Sequence, residues 1–85
     1  MDHHSLGEVR VVLADVAEQI DSAYRLAGVA RARLADAVAV LTDLGAEHSA
    51  PLVPPELRRA DAELERGLRF ISGGAGAVAA IDARL

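Results

Sequence analysis

The sequence predicts an all-α protein, an antiparallel two-helix hairpin, and three observations predict it. Apolar residues recur in alternating steps of three and four over two long stretches, from Leu6 to Leu44 and from Leu57 to Leu85. All three prolines, Pro51, Pro54 and Pro55, fall between those stretches. Helix-start residues stand at the head of each. The 85 residues fit a single domain, 1–85, with a flexible start over 1–4, helices over about 5–44 and 55–84, and a connector over 45–54.

The first helix opens on Ser5-Leu6-Gly7-Glu8, a capping box in which the Ser hydroxyl accepts the amide three residues on. Its seam is Leu6, Val9, Leu13, Val16, Ile20, Ala23, Ala27, Ala30, Leu34, Ala37, Leu41 and Leu44, with no polar residue in the series. That period excludes a strand. Gly45 stands where a helix-ending glycine belongs. In the connector, the prolines forbid helix continuation, and Leu52 and Val53 are expected to fold back over the end of the hairpin.

Pro55 suits the first turn of the second helix. Its seam is Leu57, Ala60, Leu64, Gly67, Ile71, Gly74, Val78, Ile81 and Leu85. Each interior glycine costs about 1 kcal/mol relative to Ala, so Gly73-Gly74 is where this helix would break. The seam keeps phase on both sides of the pair, which predicts one continuous helix.

Antiparallel pairing about the connector sets Leu34 against Gly67, Ala30 against Ile71, Ala27 against Gly74 and Ala23 against Val78. The same register pairs Leu41 with Ala60, Ala37 with Leu64 and Ile20 with Ile81. Large residues then mostly oppose small ones, and the glycines are expected to admit a close approach of the two backbones.

Two helices do not make a core. Val12, Leu26 and Val40 flank the first seam on one side, and Ala17, Tyr24 and Val38 on the other; Leu68 and Phe70 flank the second. The first helix is expected to overshoot the second, leaving Leu6, Val9, Val12 and Leu13 without a partner in the chain. A helix apolar over more than a narrow stripe must bury more than one side. The expected interface therefore comprises Leu6, Val9, Val12, Leu13, Tyr24, Leu26, Val38, Val40, Leu68 and Phe70. Its expected occupant is a second copy, giving a dimeric four-helix bundle, or else a second helical protein.

Composition excludes several functions. Cysteine is absent, so no disulfide, thiolate ligand or cysteine nucleophile exists. A net charge of −4 argues against nucleic acid and anionic membranes as partners. No apolar stretch is long enough to span a bilayer. Every basic residue is Arg, and 18 residues are Ala, a usage expected of a GC-rich bacterial genome. The start, Met1-Asp2-His3-His4, lacks the basic residues of a secretory signal, which predicts a cytoplasmic protein.

Five features carry a possible chemistry. Glu8, Asp15, Asp36 and Asp43 form an acidic row along an outer face; they are too far apart to share a metal and read as a solvated face. Arg58, Arg59, Arg66 and Arg69 are interleaved with Asp61, Glu63 and Glu65, with Arg59–Glu63 and Glu65–Arg69 at ion-pairing spacing. Gly74-x-Gly76-x-x-Ala79 loosely matches a dinucleotide fingerprint, but no strand precedes it and too little chain follows; no cofactor is expected. With a free amine, Met1-Asp2-His3 offers square-planar nitrogen ligation to Cu(II) or Ni(II), making His3 the candidate metal ligand, with His4 or His48 able to add to it. A disordered chain start is the alternative for the same residues. Lastly, Tyr24 reads as a packed residue with its hydroxyl at the edge, and His48 as solvated. No nucleophile, base and orienting group share a spacing signature, so no enzyme is expected.

The layout of two helices about a short connector resembles the WxG-type substrates of type VII secretion. It also resembles short Ala-rich actinobacterial helical proteins of unassigned role. In the first family a Trp-x-Gly marks the turn and a Tyr-x-x-x-Asp/Glu the C-terminus. Here the turn is Leu44-Gly45-Ala46-Glu47 and the end is Ala80-Ile81-Asp82-Ala83-Arg84-Leu85, so neither motif is carried over. The resemblance implies a helical hairpin that pairs with another hairpin, and export without a cleavable signal. The residues themselves imply a non-enzymatic interaction module that self-associates through heptad seams.

Overall fold

The computed structural model describes residues 5–85. It consists of two α-helices, α1 (Leu6–Gly45) and α2 (Pro55–Arg84), with no strand among the described residues. The chain is an all-α hairpin, one helix layer thick, with extents of 68 × 22 × 14 Å. Ser5 is extended and starts α1: its Oγ accepts the Glu8 amide at 3.1 Å, and its carbonyl accepts the Val9 amide at 3.1 Å. Pro55 occupies the first turn of α2, where a missing amide proton costs nothing. α2 runs unbroken through Gly73-Gly74.

α1 ends at Gly45, but not by a left-handed glycine cap. No described residue has a positive φ; Ala46 caps in the right-handed helical region, its amide shared between the Thr42 and Asp43 carbonyls. The connector then turns back on α1. Leu52 packs over Gly45, where an added Cβ would lie 3.5 Å from the Leu52 nitrogen, and Leu52 and Val53 are half-buried in a depression shared with Leu41.

That turnback sets the register, which differs from the expected one. Ala23 and Ile20 share a depression with Ile71 and Gly74, rather than facing Val78 and Ile81. Val38 shares one with Leu57 and Asp61, and Leu41 one with Val53. The expected pairs, Leu34–Gly67 among them, are therefore displaced by about one heptad, roughly 10 Å at 1.5 Å per residue. The cause is the connector: its residues Pro51–Val53 lie along the last turns of α1, so α2 begins one heptad further from the bend. The slip also carries the end of α2 toward the start of α1. Val9 and Leu13 are accordingly half-buried, whereas Leu6 and Val12 are exposed.

The seam itself moves around α1. Its half-buried positions are Val9, Leu13, Ile20, Ala27, Gly28, Arg31, Leu34, Val38, Leu41 and Gly45; Ala30, Ala37 and Leu44 are exposed. A strict heptad follows a period of 3.5, whereas a straight helix has 3.6 residues per turn and drifts about 20° per heptad away from it. Over forty residues that drift replaces Ala30 by Arg31, Ala37 by Val38 and Leu44 by Gly45. In α2, Asp61 is half-buried in place of Ala60, while Leu57, Leu64, Gly67, Ile71, Gly74 and Val78 hold their places.

The glycines do not mark a close approach. A Cβ built on Gly67, Gly73, Gly74 or Gly76 would meet no atom within 4 Å. The slipped register explains this at Gly67: short Ala27 now stands level with it, in place of Leu34. No described residue is fully buried.

Candidate functional site

Three kinds of surface are available to act: an ion-paired side, an apolar side, and the start of α1. The ion-paired side centres on Arg31, which no motif in the sequence marks. α1 drift turns it into the seam, where its Nε donates to Asp61 Oδ1 at 2.8 Å and its Nη2 to Glu65 Oε2 at 3.3 Å. Asp61 and Glu65 are one helical turn apart on α2, so one guanidinium spans both. The hydrogen bond to Asp61 pushes the Arg31 pKa above its ordinary value; desolvation opposes this, and the charges of Asp61 and Glu65 add to it. Glu65 also accepts from Arg69 at 3.4 Å, as its spacing predicts, while Arg59 and Glu63 form no pair among the described residues. Asp21 and Arg25 pair at 3.1 Å one turn apart on α1. Tyr24 lies on this side too, beside Asp21, Ser72 and Ala75.

The opposite side is apolar. Val16, Gln19 and Ala23 of α1 border a shallow depression with Phe70 and Gly74 of α2. Helical spacing extends this stripe on α1 through Val12, Leu26, Ala30, Ala37, Val40 and Leu44, all exposed, and on α2 through Ala77 and Ile81. Leu26 is 72% exposed and Phe70 68% exposed. The Arg66 guanidinium sits over the Phe70 ring, 5.7 Å from its centroid. Near the start of α1, Val9, Val11, Val12 and Leu13 border a further concavity to which α2 contributes no residue.

The ten residues expected at an interface are thereby sorted. Val9, Leu13, Val38 and Leu68 are half-buried within the hairpin. Val12, Leu26, Val40 and Phe70 are exposed on the apolar side, Tyr24 is exposed on the ion-paired side, and Leu6 is exposed at the start of α1. Val16, Ala23 and Ile81 join the apolar side without having been singled out beyond the seam. The seams had assigned all three to the contact between the two helices, and the observed register leaves them exposed.

Nothing among the described residues forms a metal site: no group of three His, Asp or Glu side chains converges. His3, the candidate Cu(II) or Ni(II) ligand, lies outside the described residues. His48 sits in the connector, its amide donating to the Gly45 carbonyl at 3.0 Å. Among the described residues no helix is long and apolar enough to cross a membrane. Compared with protein-family models, with curated proteins and with solved structures, the chain matches none.

Proposed function

We propose that this protein is a non-enzymatic helical interaction module that self-associates, two hairpins completing a four-helix bundle. The observation that carries this reading is the missing core. The hairpin exposes 6648 Å², whereas a compact monomer of 8.9 kDa exposes about 4,800 Å². It buries roughly half of the surface of its unfolded chain, below the ~60% that already makes a 60-residue domain marginal. The chain has no cysteine for a disulfide, and no group of side chains able to hold a metal ion is found among the described residues. Association is what supplies the missing burial.

Light scattering over a concentration series, with far-UV circular dichroism on the same samples, tests the reading. A helical species of twice the chain mass that persists on dilution supports it. A monomer that is helical only beside another protein favours a hairpin partnered by a second helical polypeptide, the arrangement that the WxG-type resemblance implies. A stable, fully helical monomer with a cooperative thermal transition overturns both.

A further inference from the structure

We infer that the second copy docks on one particular side of the hairpin, with Leu26 and Phe70 at the centre of the contact and the two-fold axis passing at their level. The inference rests on the self-association proposed above and adds where it happens. Of the two long sides, one is already spent on ion pairs: Arg31 holds Asp61 and Glu65, and Arg25 holds Asp21. Burying that side would require desolvating those charges. The other side presents Val12, Val16, Leu26, Phe70 and Ile81.

Its charge also suits a copy of itself. Although the chain carries −4, the charges along this stripe are of both signs, Asp15 and Arg33 on α1 and Arg59, Glu63 and Arg66 on α2, with Arg33 and Glu63 level with one another in the observed register. A second copy therefore brings charges of both signs to charges of both signs, whereas a strongly acidic or basic partner meets repulsion as well as attraction.

The area agrees with a dimer. The excess exposure over a compact monomer is about 1,800 Å² per chain, or about 3,600 Å² for a pair, within the ~2,000–5,000 Å² of obligate homodimers. Leu26 is near the middle of α1 (Leu6–Gly45) and Phe70 near the middle of α2 (Pro55–Arg84), and the register sets them level. An axis through that level overlaps the two hairpins along their whole length. Two face-to-face arrangements satisfy it, α1 on the partner's α1 or α1 on the partner's α2, and both leave every contacting helix pair antiparallel. In both, the most exposed large apolar residues of the two helices converge on their copies, where aromatic and aliphatic anchors contribute most to binding.

The chain has no Cys, so single-cysteine variants report cleanly. Leu26→Cys, Phe70→Cys and Tyr24→Cys would be treated with a bis-maleimide whose reach matches packed helices, about 8–10 Å. Crosslinked dimer should form several-fold more in Leu26→Cys and Phe70→Cys, alone or in a 1:1 mixture, than in Tyr24→Cys. Self-crosslinking of Leu26→Cys assigns α1 to the partner's α1; crosslinking only in the mixture assigns it to α2. Hydroxyl-radical footprinting of the unaltered chain provides the check free of substitution: Leu26 and Phe70 should become protected with concentration while Tyr24 stays reactive. Protection or crosslinking at Tyr24 instead, in a chain that light scattering shows to be dimeric, overturns the docking side and leaves self-association standing. A chain that is monomeric at all concentrations overturns both.

Discussion

Arg31 carries the most information of any single residue. A heptad seam of Ala, Leu, Gly and Ile packs almost equally well when slid by seven residues, because each position meets another of its own class. Large-against-small pairing is therefore partial in both registers: Ala30 meets Ile71 in the expected one and Leu64 in the observed one. The charges break the tie: the observed register lays Arg31 against Asp61 and Glu65, whereas the expected one lays it beside Phe70 and Ile71. Arg31→Ala should lower the thermal midpoint, and raised salt should shrink the difference from the unaltered chain. A cycle with Asp61→Ala should show the two losses to be less than additive. Since the pKa of Arg31 is raised, its contribution is complete below the ordinary guanidinium value and is lost only as pH rises beyond the folded value. The glycines give a second prediction at this scale. Gly76 has open space where a Cβ would go and a φ that any residue adopts, so Gly76→Ala should stabilise by about 1 kcal/mol in chemical denaturation. Gly67→Ala should do the same within the hairpin, the opposite of what a tight seam would require.

At the scale of the elements, each boundary has its own cause. Ser5→Ala removes the acceptor for the Glu8 amide and should cost about 1 kcal/mol, read as a lower melting temperature. Both helices were legible because periodicity, caps and prolines agree over long stretches. The connector was less so. The sequence marks Leu52 and Val53 as apolar residues in a polar loop, but how far they travel along α1 depends on the space beside Gly45, which a linear pattern does not contain. The helix drift was also outside the heptad reading. A period of 3.5 and one of 3.6 are indistinguishable over two turns and differ by a whole seam position over forty residues. That difference brings Arg31 and Val38 inward and turns Ala30 and Ala37 out.

The whole molecule is an open layer. At 14 Å in its thinnest dimension, it has no depth in which to bury a side chain on all sides. Helices in such a layer are marginal alone, since most helical stability comes from packing an apolar face. Association and folding should accordingly be coupled: the thermal midpoint should rise with protein concentration, by mass action on the bundle. A midpoint independent of concentration over two decades would show instead that the hairpin stands by itself. The apolar side of the layer was half legible. Val12, Leu26, Val40 and Phe70 stood out as surplus to the seam, but so did Val38, Leu68 and Tyr24, and only the register separates those that are spent within the hairpin from those left free.

Chain-local physics thus determined the helices, their ends and the turn, because spacing, capping and proline act within a few residues of where they are written. It determined too that the apolar positions exceed what one hairpin can cover. The tertiary structure decided the register, the inward turn of Arg31 and the sorting of apolar residues between two sides. Those depend on the relative placement of residues thirty or more apart. A repeating seam assigns nearly the same packing energy to every seven-residue slip; the path of the connector and one ion-paired arginine select among them.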